Sequence, residues 1–202
     1  MKKILLTITA VLIILSGIQV KAQDVQANID EARSSYQSGN LENARFALQQ
    51  ALTSINQEIG KEILALLPTE MGNMPVVEGS DNVSGASYGY AGLYVNRSYT
   101  LDTTASSSVE IVSDSPLLAG INALLAMPAI AYTDPNQKQI KINNYKAMLT
   151  KNEDEQGIAS YDIQLPFSNS LLSFQCTGIQ DEKEVIDMAN TIPVDKIVKL
   201  TQ

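Results

Sequence analysis

The chain has 202 residues, 14 basic and 22 acidic, with one Cys, no His and no Trp. That length fits one domain, or one domain with a small appendage, and 45 % apolar residues belong to a globular chain rather than a disordered one. Without histidine there is no Ser-His-Asp or Cys-His catalysis and no His-held metal or haem. A single Cys excludes an internal disulfide and a Cys-rich zinc site.

Residues 1–22 are expected to be a signal peptide. Lys2 and Lys3 form a basic start, and Ile4 to Leu15 is an apolar run too short to span a bilayer comfortably. Val20-Lys21-Ala22 has the small-residue pattern of a cleavage site, which makes Gln23 the new N-terminus. No Cys follows the apolar run, so no lipid is attached there. The Lys-Ala-Gln ending resembles leaders of the Bacteroidetes, and the expected destination is the periplasm or the exterior. After residue 22 the chain has 11 basic and 22 acidic residues, a net charge of −11. Such a surface repels phosphate backbones and anionic membranes. Neither nucleic acid nor, after cleavage, a membrane span is therefore expected.

Residues 23–68 are expected to form a helical hairpin. Val25, Ile29, Ala32 and Tyr36 step at helical intervals, Ser38-Gly39-Asn40 breaks the pattern, and Pro68 ends a second stripe that runs from Leu41 through Ala44, Leu48, Ala51, Ile55, Ile59 and Ile63 to Leu66. Ala32, Tyr36, Gly39, Ala44, Leu48 and Ala51 sit close to the packing positions of a tetratricopeptide repeat, and the segment resembles one such unit. A solenoid needs about three, so the hairpin is expected to dock on the domain that follows.

From Met71 the period changes to two. Strands are expected at Met74–Glu78, over Leu93, Val95 and Tyr99, and over Val109 and Ile111. Further strands are expected over Ile140 and Ile142, from Tyr145 to Leu149, from Ala159 to Leu165, and over Leu172, Phe174 and Cys176. Polar turns at 134–136, 143–144, 152–157 and 168–169 make the last strands an antiparallel meander. Two helices interrupt them. One is expected to start at Ser115-Pro116 and to carry Leu117, Leu118, Ile121, Leu124 and Leu125 into the core before Pro128. The other opens at Asp181, with Glu184 at capping-box spacing, and stops at Pro193. The fold class is α+β: an antiparallel sheet of about six to seven strands over residues 69–202, with helices packed on one face.

The Leu67-Pro68 helix end, the Gly-rich loop, the Asp114 to Leu118 segment (DSPLL), the acidic helix and the tail with Lys196 and Lys199 resemble secreted bacterial proteins of unknown role. The resemblance implies a PsbP-like α+β fold, often used for accessory binding, and carries no catalytic signature.

The segment from Gly79 to Gly92 (GSDNVSGASYGYAG) lacks the setting of a phosphate loop. Its functional reading is a recognition loop, with Tyr88, Tyr90 and nearby Tyr94 as contact residues. The acidic turn Glu153-Asp154-Glu155 lacks EF-hand spacing, so no metal or other cofactor is expected. Cys176 has no basic neighbour in sequence to activate it and shares its strand face with apolar residues, as a core thiol does. Asp102, Glu110, Asp114 and Asp162 are the carboxylates from which a hydrolase would draw a pair, and Asp102-Thr103-Thr104 resembles a short O-glycosylation acceptor. No catalytic residue follows from these patterns. The expected function is a non-enzymatic periplasmic or secreted binding or accessory module for another envelope protein. The alternative is a small-ligand binder using a pocket between the sheet and helix 116–126, and a carboxylate hydrolase is the third reading.

Overall fold

The structure is a computed structural model that describes residues 24–87, 90–101, 103, 105–127 and 134–202. The expected leader, Tyr88, Asp102, Thr104 and the stretch after Met127 as far as residue 133 lie outside the described residues.

The described residues form five helices, a two-stranded sheet and a seven-stranded antiparallel sheet. Helix α1 (24–37) meets a turn at Ser38-Gly39-Asn40, where Gly39 has φ 81°. Helix α2 (Leu41–Leu66) starts on the Asn40 side chain, whose oxygen accepts from Asn43 N–H at 3.1 Å, and ends as Leu67 turns extended ahead of Pro68. Asn43 Nδ2 donates to Glu31 Oε1 and Ser35 Oγ, each at 2.6 Å, tying α2 back against α1.

The small sheet pairs β1 (Glu70–Met71) with β2 (Met74–Pro75), so the strand expected over 74–78 is only two residues long. The large sheet contains β3 (Asn82–Ser87), β4 (Tyr90–Leu101), β5 (Ala105–Ser113), β6 (Gln137–Ile142), β7 (Tyr145–Glu153), β8 (Ala159–Phe167) and β9 (Ser170–Thr177), in the order β3-β4-β5-β9-β8-β7-β6. Helix α3 (Leu118–Ala126) lies on the connection from β5 to the far edge, from which β6 to β9 meander back until β9 pairs with β5. Helices α4 (Glu182–Ala189) and α5 (Val194–Leu200) follow.

One sheet face carries the main core. Leu93, Val95 and Tyr99 of β4, Val109 and Ile111 of β5, Tyr161, Ile163 and Leu165 of β8, and Leu172, Phe174 and Cys176 of β9 are buried together with side chains of α2, α4 and α5. Gly60 of α2 sits where a Cβ would come within 2.5 Å of Val83 Cγ1, and a Cβ on Gly85 of β3 would come within 1.8 Å of the Thr53 carbonyl oxygen. Helix and edge strand therefore touch backbone to backbone. Arg97 of β4 locks the end of the same helix: its fork holds Asp81 at 2.7 and 2.6 Å and its Nη1 donates to the Leu67 carbonyl at 3.1 Å.

Four expectations need correction. Residues 82–87 are an edge strand rather than loop; weak alternation and the Gly and Ser content hid it, and Gly85 is there because α2 leaves no room for a side chain. The helices do not share one face: α3 places Ile121 and Leu125 on Met148, which points opposite to its neighbours Ala147 and Leu149 as strand alternation demands. Helix α3 also starts two residues later than expected, with Ser115 Oγ accepting from Leu117 N–H. Finally, Pro193 does not open a tail. It stands at the start of α5, where its missing N–H costs nothing, and Val194, Ile197 and Val198 are buried.

Candidate functional site

Two surfaces carry the exposed chemistry. The first is the sheet face turned away from the main core. Strand alternation lines up Asn96, Glu110, Ser173 and Gln164 across β4, β5, β9 and β8, and in the next row Ser98, Ser108, Gln175 and Asp162. A concavity of about 290 Å³ lies at one end of this face, lined by Ser98, Thr100, Ser106, Ser108, Gln175 and Thr177 among others. Asp162 is half-buried. Its Oδ2 accepts from Gln164 Nε2 at 2.9 Å, while its Oδ1 is shut off from solvent and has no hydrogen-bond partner among the described residues. Burial pushes the Asp162 carboxyl above its ordinary range; the Gln164 bond opposes that, and the charge of Glu110 adds to it. The face can thus offer hydroxyls, amides and two carboxylates to a flat or extended partner.

The second surface is the front of the α1–α2 pair. Ala32, Ser35, Ala44, Ala47 and Ala51 are buried where the two helices meet. The large side chains of the same segment are not: Tyr36 is 70 % exposed, Leu41 62 %, Phe46 58 %, and Leu48 and Leu52 51 % each. The stripe read along α2 is therefore divided. Its rear, with Ile59, Ile63 and Leu66, packs into the sheet, whereas its front, with Leu41, Leu48 and Ile55, faces outward. Where the two parts meet, a cleft of about 190 Å³ opens between α2 (Asn56, Ile59), the ends of β4 and β5 (Leu93, Ser113) and the end of α5 (Leu200).

The residues singled out in the sequence are scattered. Tyr88 lies outside the described residues. Tyr90 is the β4 residue opposite Ser87, and Tyr94 is half-buried on β4 with its hydroxyl donating to Glu110 Oε2 at 3.3 Å. Asp102 lies outside the described residues, and exposed Asp114, at φ 52°, accepts from Asn169 Nδ2 in a turn. Glu110 and Asp162 do share a face, across β9. In the acidic turn Asp154 Oδ1 accepts from the N–H groups of Gln156 and Ile158 and so serves the turn itself. Cys176 is buried, and burial together with the charge of Glu184 pushes its thiol up to about 11. The cleft at α2 lies on the side of the sheet opposite to α3, beside which the alternative pocket is expected. Leu52 and Phe46 were missed because they fall off the expected stripe, although Leu48, Leu52 and Ile55 at four- and three-residue steps are a helical seam in their own right. Among the described residues no helix is long and apolar enough to cross a membrane.

Comparison with protein-family models, with curated proteins and with solved structures finds no match to this chain.

Proposed function

We propose that this chain is a non-enzymatic binding or accessory module of the cell envelope, exported by its first 22 residues and acting on another envelope protein. In this reading residues 23–68 are a helical hairpin that serves as the contact arm of a PsbP-like α+β body. One observation carries it: the large apolar side chains on the front of α1 and α2 are exposed. Contiguous apolar surface beyond a few hundred Å² is uncommon on a monomer and marks a place where something docks. The test is chemical cross-linking in intact cells of the chain and of its Leu48→Glu/Leu52→Glu variant. A discrete adduct that the variant loses supports the reading. Adducts identical for both proteins would refute it.

A further inference from the structure

We infer that the apolar flank of α1 and α2 is closed by a second copy of the chain, packed helix pair against helix pair around a two-fold axis. The inference rests on reading that flank as a protein contact, and it makes the protein that docks there a second copy rather than a different one. The argument begins with helical geometry. On α2, Leu41, Leu48, Leu52 and Ile55 follow steps of seven, four and three, the a/d spacing of a helix that packs against other helices. They lie beside, not on, the line of Ala44, Ala47 and Ala51 that meets α1. On α1, Ile29 and Tyr36 are seven residues apart and lie to one side of buried Ala32 and Ser35. In an antiparallel pair these two offsets fall on the same flank, so both helices contribute to one apolar strip.

The area fits a dimer. Ile29, Tyr36, Leu41, Leu48, Leu52 and Ile55 are between 37 and 70 % exposed. At about 200 Å² for a fully exposed large side chain they present on the order of 600 Å², against about 800 Å² per partner in a standard stable interface. A two-fold contact needs only this one patch, because it is the same on both copies. Two such helix pairs face to face form a four-helix bundle whose core is this strip. Ala at the contact between the two helices of one copy keeps α1 close to α2, and the large residues are left for the contact between copies.

The test is analytical ultracentrifugation of the exported, processed chain between 1 and 100 µM, beside Leu48→Glu/Leu52→Glu. The dimer is expected across the upper part of that range, with self-association about 100-fold weaker in the variant. Both substituted positions are exposed, so the circular dichroism of the variant should match that of the unaltered chain, and its melting should match at concentrations where both are monomeric. As a second reading, Ser54→Glu, on another side of α2, should leave the self-association unchanged. A monomer at 100 µM overturns the proposal, as does a dimer that Leu48→Glu/Leu52→Glu leaves intact. If the chain is monomeric yet the Glu variant loses its envelope cross-links, the contact-arm reading stands and self-association falls. If neither changes, both fall.

Discussion

Replacing Gly85 by Ala tests whether α2 and β3 touch through their backbones. The new Cβ would lie 1.8 Å from the Thr53 carbonyl oxygen and 2.6 Å from its carbon. Non-bonded carbon and oxygen need well over 3 Å, so helix and strand must part by more than 1 Å. The obstacle is backbone in the middle of a 26-residue helix, so no rotamer change relieves it. Overpacking a tight contact costs about 1–3 kcal/mol where side chains can adjust, and here the upper end, about 3 kcal/mol, is expected. Gly60→Ala is the internal control. Its Cβ would come within 2.5 Å of Val83 Cγ1, a side-chain atom, and the substitution gains about 1 kcal/mol of helix propensity. Its net cost should therefore be about 1 kcal/mol or less. Urea unfolding followed by circular dichroism measures both. At about 2–4 °C per kcal/mol for a chain of this size, Gly85→Ala should also melt roughly 6–12 °C lower. If Gly85→Ala is as stable as the unaltered chain, or Gly60→Ala is the worse of the two, α2 does not sit on the edge strand as described.

Three further outcomes are expected. Arg97→Ala removes the fork on Asp81 and the bond to the Leu67 carbonyl from a side chain only 12 % exposed; a loss of about 2 kcal/mol follows, only partly restored by Lys, which lacks the fork, and an unchanged urea midpoint would contradict it. The two aspartates should give stability–pH curves of opposite sign. Asp81 is held below its ordinary 3.8 mainly by the Arg97 hydrogen bond, so its contribution is present above 3.8 and is lost as pH falls through the lowered value. Asp162 is raised above 3.8, so it binds its proton more tightly when folded and weakens the fold as pH rises through the raised value. Asp81→Asn should lower stability at pH 7 and Asp162→Asn should raise it, with each difference shrinking in acid; matching signs at pH 7 would count against this assignment. Cys176, with its thiol pushed up to about 11, should react with a thiol reagent at pH 8 only as fast as the chain unfolds. Immediate labelling of the native protein would place it at the surface.

Most of the sheet was legible because one face is apolar. Tyr161, Ile163 and Leu165 alternate with Asp162 and Gln164, and turns such as Asn143-Asn144 interrupt that alternation cleanly. What stayed hidden was decided by neighbours distant in sequence. Strand β3 has little apolar pattern of its own and is a strand because β4 pairs with it and α2 covers it. Met148 and the side of the sheet that α3 covers follow from the path of the β5–β6 connection, which no local period reveals. Of the surfaces, the apolar stripe of α2 reads in sequence as packing. Sequence periodicity marks a stripe but does not say where along the helix the body of the protein ends, and that boundary, near Ile59, is what leaves Leu48 and Ile55 outside.

The order β3-β4-β5-β9-β8-β7-β6 makes the sheet two ribbons joined at a single seam. Each ribbon is built from neighbours in the chain, but the seam from Ser106 opposite Thr177 to Ser113 opposite Ser170 joins residues between 57 and 71 positions apart. Short-range pairs form early and cheaply in loop entropy, whereas this junction waits for the whole second ribbon. The seam also lies in the middle of the sheet, under the main core. Cutting the chain between α3 and β6 should therefore leave two pieces, each with strands of its own and half of an apolar face, that recover the native circular dichroism spectrum only when mixed.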